Sequence, residues 1–169
     1  MISDDNVTVS TRLSVDPVTA FEVFTDEVDA WWRQGPRFRT GHDRKSVMRF
    51  EPGVGGRLLE IFDEASQDAF EFGRVRVWEP GARLVFDFRA RNFAPEQITE
   101  VEIRFEPDAG GTRVTLEHRG WDRIPAEHPA RHGLVGGAFT SMIGLFWADL
   151  LVSARAHAAK SHPPRKESS

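Results

Sequence analysis

His128 and His132 lie four residues apart, with Glu127 beside the first. On a helix that spacing turns two imidazoles toward one metal ion. Pro129 intervenes, however, and a proline there makes His128 the cap of a short helix rather than an interior residue. Two ligands also fall short of the three or four that a metal site uses. The pair reads as two exposed histidines at a loop edge, and neither a metal nor another cofactor is expected. Gly53-Val54-Gly55-Gly56-Arg57 is superficially similar to a phosphate loop. A phosphate loop leads into a helix N-terminus, which aims backbone N–H groups at the anion. Here a strand pattern follows, so these glycines read as turn residues. His118 is a stronger candidate. The alternation Val114, Leu116, His118 places it on an inward strand face near Trp121. An imidazole there could polarise a carbonyl or take a proton; a hydrogen-bonded, half-buried histidine gives the same pattern. Arg89 and Arg91 follow Phe86-Asp87-Phe88, where a guanidinium at the lip of an apolar pocket could hold a carboxylate by its two-pronged edge. No Ser-His-Asp set is legible: Ser141 follows no nucleophile elbow, and Asp149 falls off the apolar stripe of its helix. No catalytic residue is assigned.

The composition limits the setting of these residues. The chain has 169 residues, 40% of them hydrophobic, with a net charge of −4. That suits one domain with a sizeable core and gives no footprint for nucleic-acid binding. There is no cysteine, so no disulfide framework and no thiol nucleophile. Thirteen Phe and five Trp stand against no Tyr, which predicts a large core with few phenolic polar handles. The N-terminus lacks the basic and apolar regions of a secretory signal, and no run reaches the roughly 18 apolar residues of a membrane span. A cytoplasmic protein without integral membrane contact is expected.

Elements that could position the candidates follow from periodicity. Residues 6–15 alternate, with Val7, Val9, Thr11, Leu13 and Val15 on one face. Asp16-Pro17 supplies an N-cap and a first-turn proline for a helix carrying Ala20, Phe21 and Phe24. Thr25-Asp26 is read as a second cap, opening a short helix with Val28, Trp31 and Trp32. A polar, arginine-rich loop spans 33–44. Strands are predicted over 46–51, 57–62, 70–78, 83–88, 98–106 and 112–119, separated by Gly/Pro turns too short for a crossover helix. Within 98–106, Thr99, Val101, Ile103 and Phe105 face inward, while Glu100, Glu102, Arg104 and Glu106 make a solvated outer face. From about 137 to 159, Phe139, Met142, Ile143, Phe146, Trp147, Leu150, Leu151 and Ala154 recur at helical spacing. Such a helix, about 30 Å long, can cross a whole sheet. The tail from Ser161 is polar and Pro-broken and is expected to be disordered.

The order of elements, together with certain motifs, resembles the START-like superfamily. The motifs are Pro17-Val18-Thr19-Ala20-Phe21-Glu22-Val23-Phe24, Glu51-Pro52-Gly53-Val54-Gly55-Gly56-Arg57, Gly73-Arg74-Val75, Pro80 with Arg83-Leu84-Val85-Phe86, and Gly111-Thr112-Arg113-Val114-Thr115-Leu116-Glu117-His118. Within it the chain is similar to the SRPBCC group related to activators of heat-shock-protein-90 ATPase, of which Trp31-Trp32 is also typical. The resemblance covers roughly residues 5–158. It implies an α+β helix-grip fold (START-like, Bet v-type): a curved antiparallel sheet of six to seven strands around the long C-terminal helix, with two short helices after strand one. One domain over residues 1–160 would then precede a tail at 161–169.

Three functions are compatible with this reading. The first is binding of a hydrophobic small molecule or lipid in an internal cavity. Its wall would include Phe21, Phe24, Trp32, Phe72, Phe86, Phe88, Ile103, Leu116, His118, Trp121, Met142, Phe146 and Leu150, with Arg89 and Arg91 as rim anchors. The second is a polyketide cyclase/aromatase-like enzyme with His118 or an arginine in acid–base work. The third, implied by the resemblance alone, is an interaction module acting on a chaperone ATPase. A homodimer stays open.

Overall fold

The computed structural model describes residues 6–41 and 44–163. Residues 1–5, from which the lack of a secretory signal is read, and 164–169, most of the expected disordered tail, lie outside the described residues. The chain runs β1 (Val7–Leu13), α1 (Pro17–Thr25), α2 (Val28–Trp31), β2 (Val47–Phe50), β3 (Arg57–Asp63), β4 (Asp68–Glu79), β5 (Arg83–Phe88), β6 (Thr99–Asp108), β7 (Gly111–Arg119) and α3 (Gly136–Ser161). Single 3-10 turns at Trp121–Arg123 and Pro129–Arg131 lie between β7 and α3. This is the element order expected from periodicity.

Local chemistry explains most boundaries. The Asp16 side chain accepts from the Thr19 N–H at 3.3 Å and from its hydroxyl at 2.6 Å, capping α1 as predicted. Thr25 is not a second cap. It ends α1, and its hydroxyl donates back to the Phe21 carbonyl at 2.8 Å, while α2 opens after Glu27 without a side-chain cap. The turn after β4 has its Ala82 N–H on the Glu79 carbonyl at 2.9 Å, with Gly81 at φ +78 as a type II turn requires. The expected terminal helix starts earlier and runs through Ser161.

All seven strands form one antiparallel sheet in the order β1-β7-β6-β5-β4-β3-β2. The first strand therefore pairs with the last, Val7 opposite His118 and Leu13 opposite Thr112. The sheet curls into a half-barrel. Register shifts between Leu58 and Leu59 and between Val75 and Val77 mark where β3 and β4 bend, since bulges add local twist. Gly73 sits in that bend: a β-carbon there would stand 1.6 Å from the Asp87 carbonyl oxygen, so only glycine lets β4 press onto β5.

By length and composition α3 could cross a membrane. Here its apolar stripe, including Phe139, Trp147, Leu150, Leu151 and Ala154, is buried, and its packing on β1 joins it to the sheet. The two short helices close one end: Phe21 meets Trp78 edge-on at 5.1 Å, and Phe24 packs on Trp31 at 5.0 Å. The far end of α3 is tied down by Glu27, which bonds His157 at 2.7 Å and His162 at 2.9 Å.

The outer sheet face corrects one expectation. Glu102 is not solvated: it is 3% exposed beneath Arg83 at 2.6 Å, Arg104 at 2.9 Å and Arg119 at 2.6 Å. Burial alone would raise its pKa, but hydrogen bonds from Arg119, Arg104 and Arg83 outweigh that and hold it down at about 2. Arg83 and Arg119 on the flanking strands supply much of the cover, which alternation within a single strand does not reveal.

Candidate functional site: an aromatic cavity under the terminal helix

A cavity of about 380 Å³ opens between the sheet, α3 and the loop at 36–40. Phe72 enters from β4, Phe88 from β5, and Met142, Ile143, Phe146 and Trp147 from α3. Phe38, from the loop after α2, stacks on Phe146 at 5.2 Å and 29°. Phe72 stacks on Phe88 at 5.4 Å and 20°. The wall is aromatic and largely apolar because inward strand positions and the helix stripe converge there.

Of the residues expected to line a cavity, Phe72, Phe88, His118, Trp121, Met142 and Phe146 come together around this space. Phe21, Phe24, Trp32, Phe86, Ile103, Leu116 and Leu150 do not; they are buried in the continuous core. Phe86 meets Phe50 edge-on at 5.2 Å, and Trp32 backs the wall through Phe72 at 5.7 Å and Trp147 at 5.9 Å. Arg91 contributes to the wall. Arg89 does not: its guanidinium donates to the Phe93 carbonyl at 3.4 Å. The large apolar residues outside the expected set are Ile143 and Trp147, both on the helix stripe, and Phe38, whose only signal is one aromatic in a polar loop.

His118 is inward and buried, as alternation predicts, but neither ring nitrogen is free. Trp147 Nε1–H donates to Nδ1 at 2.9 Å, so the imidazole proton sits on Nε2 and points at the Thr99 hydroxyl, 2.7 Å away. Thr99 in turn donates to the Phe88 carbonyl at 2.5 Å. Burial without a charged partner pulls the His118 pKa down to about 3, so the ring is neutral at ordinary pH.

A buried polar set holds the loop that forms the mouth. Arg39, 4% exposed, donates to the carbonyls of Trp32 at 2.6 Å and Ser46 at 2.8 Å and pairs with Asp29 at 3.0 Å. Glu60, fully buried, accepts from Thr40 N–H and hydroxyl, both at 2.8 Å, and from the Ser46 hydroxyl at 2.9 Å. Trp32 Nε1 donates to the Phe38 carbonyl at 2.9 Å. Arg37 pairs with Asp149 on α3, across the mouth. Trp121 contributes to the wall, yet its buried indole N–H has no acceptor among the described residues.

The other candidates resolve as structure. His128 caps the second 3-10 turn, its Nδ1 accepting from Ala130 N–H at 3.0 Å, and its Nε2 faces the Asn92 carbonyl at 3.1 Å. His132 takes a left-handed conformation at φ +51 and lies on the cavity rim. No group of three or more metal-ligating side chains occurs among the described residues. The 53–57 loop joins β2 to β3, and its N–H groups serve the fold: Gly55 donates to Val75 at 2.9 Å and Gly56 to Gly53 at 3.1 Å. A second hollow of about 370 Å³ is lined largely by charges that pair with one another, Arg49 with Glu64 and Arg57 with Glu51.

Solved structures share this architecture at low identity. An AHSA1-like protein from Aeromonas hydrophila superposes with a TM-score of 0.62 at 13% identity, covering 97% of this chain and 99% of that one. An Aha1 from Colwellia psychrerythraea, solved in solution as a dimer, gives 0.60 at 16%, covering 94% and 96%. DynU16, a protein of the dynemicin biosynthetic locus, gives 0.63 at 20%, covering 98% of this chain but 51% of that longer one. No curated protein matches the sequence. Residues 14–144 match the model of the activator of Hsp90 ATPase homolog 1-like proteins, and the chain, with its helix-grip fold, belongs to that family.

Proposed function

We propose that this protein binds a hydrophobic small molecule in the cavity beneath α3. The observation that carries this reading is the cavity itself: about 380 Å³ bounded by Phe38, Phe72, Phe88, Met142, Phe146 and Trp147. Small-molecule sites are mostly apolar, measure about 300–1,000 Å³ and carry a few placed polar groups. Arg91 in the wall is one such group. Native mass spectrometry of freshly purified protein, followed by titration with naphthamide under tryptophan fluorescence, tests it. A retained or added ligand should be lost in Met142→Trp, which fills the space. Protein that retains no ligand and shows no fluorescence response abandons the reading.

The alternative is an enzyme of the cyclase/aromatase sort; one protein that shares the fold, DynU16, belongs to a biosynthetic locus. His118 would be a poor base in it, since its acceptor nitrogen is held by Trp147. Chemistry would fall to ligand positioning and to the arginines at the mouth.

A further inference from the structure

We infer that the cavity's ligand is a compact aromatic monocarboxylate whose acid group is held by Arg91; this rests on the binding reading above. The first ground is charge. The chain has 26 acidic and 22 basic residues, yet the cavity wall includes Arg37, Arg39 and Arg91 and no aspartate or glutamate. Arg37 and Arg39 are offset by Asp149 and Asp29, which lie outside the wall, so the net positive charge left there is that of Arg91, and it favours an anionic occupant.

The second ground is which guanidinium is available. Arg37 is paired with Asp149. Arg39 is buried and engaged by the Trp32 and Ser46 carbonyls and by Asp29. Among the described residues Arg91 has no carboxylate within 4.0 Å and no hydrogen-bond acceptor. Its guanidinium instead stands 4.9 Å from the Phe70 ring centre and 5.6 Å from that of Phe62. Such ring contacts fix where the cation sits without using its N–H donors. The free fork matches a carboxylate bidentately. One uncommitted cation suits a monoanion better than a phosphate dianion.

The third ground is shape. The stacked pairs Phe38–Phe146 and Phe72–Phe88 offer flat walls. A cavity of about 380 Å³ lies near the small end of ligand sites, which favours one or two fused rings over a long acyl chain.

Isothermal titration calorimetry with naphthoate, naphthamide and naphthyl phosphate on the full chain tests this. Naphthoate should bind about tenfold or more tightly than naphthamide and weaken with added salt. Arg91→Gln should weaken naphthoate about tenfold while leaving naphthamide within about twofold, and Arg91→Lys should restore part of the loss, because it keeps the charge but not the fork. Equal affinity for acid and amide, or an unchanged naphthoate affinity in Arg91→Gln, overturns the inference and leaves an apolar site standing. Tighter binding of naphthyl phosphate overturns the carboxylate assignment. If neither acid nor amide binds, the cavity reading fails with it.

Discussion

Trp147 donates its indole N–H to Nδ1 of His118 across 2.9 Å, joining the long helix to the last strand by a bond between two buried rings. Nδ1 is thereby an acceptor, and Nε2 keeps the proton that it presents to Thr99. The histidine therefore acts as a neutral brace between α3, β7 and β6.

His118→Leu should orphan the Trp147 N–H and cost about 1–3 kcal/mol at pH 7. The pH dependence is the sharper readout. The folded pKa is about 3 against an ordinary 6.5, so below pH 6.5 the unfolded chain takes a proton that the folded one refuses. Stability attached to His118 is then whole above 6.5 and declines toward 3, by up to about 1.4 kcal/mol per pH unit. Urea denaturation between pH 7 and 5 should show a flatter slope in His118→Leu than in the parent. Equal slopes would refute the brace.

Glu102→Gln removes the charge that three arginines share. Those arginines remain partly in solvent, so a loss of about 1–3 kcal/mol is expected at pH 7 rather than the larger cost of a wholly buried pair. The folded pKa of Glu102 lies below its ordinary value, so its contribution is present above 4.5 and lost between 4.5 and about 2. Chemical denaturation of parent and variant should converge as pH is lowered through that window.

Glu60→Gln converts an acceptor-only carboxylate into an amide that can serve fewer of the Thr40 and Ser46 donors. Global stability should fall by about 1–3 kcal/mol. Amide hydrogen exchange should rise across 36–46 more than across β6 and β7. A uniform rise along the chain would argue that Glu60 does not hold the mouth loop specifically.

Gly73→Ala would drive a methyl to 1.6 Å from the Asp87 carbonyl oxygen, forcing β4 away from β5. We expect a loss of more than about 3 kcal/mol or no soluble protein. Gly137→Ala, in the first turn of α3 with nothing within 4 Å of the new carbon, should stabilise by up to about 1 kcal/mol. Thermal melts of the pair separate close approach from backbone entropy.

Strand and helix order were legible because period-two and period-3.6 patterns report local geometry. Cavity membership was legible only in part. Phe86 and Phe88 share one strand face, yet Phe86 faces Phe50 in the packed core while Phe88 borders open space. Alternation sorts inside from outside and carries no information on where the inside is empty. Phe38 escaped because its position depends on the Arg39 and Glu60 bonds, which join residues from separate elements. Glu102 escaped for a related reason: its arginine cover comes from β5 and β7 as well as its own strand.

The pairing of β1 with β7 has a consequence for the nascent chain. Val7 must wait for His118 before it gains a hydrogen-bonded neighbour, and α3, which packs on β1, emerges later still. Five strands, β2–β6, can form a meander as they leave the ribosome, but β1 has no strand partner until β7 arrives. Such distant pairing slows folding and lengthens exposure to aggregation. Truncation within α3 should therefore strip the helix cover from the first strand while leaving its ladder to β7, tying the two ends of the polypeptide together in a late step of maturation.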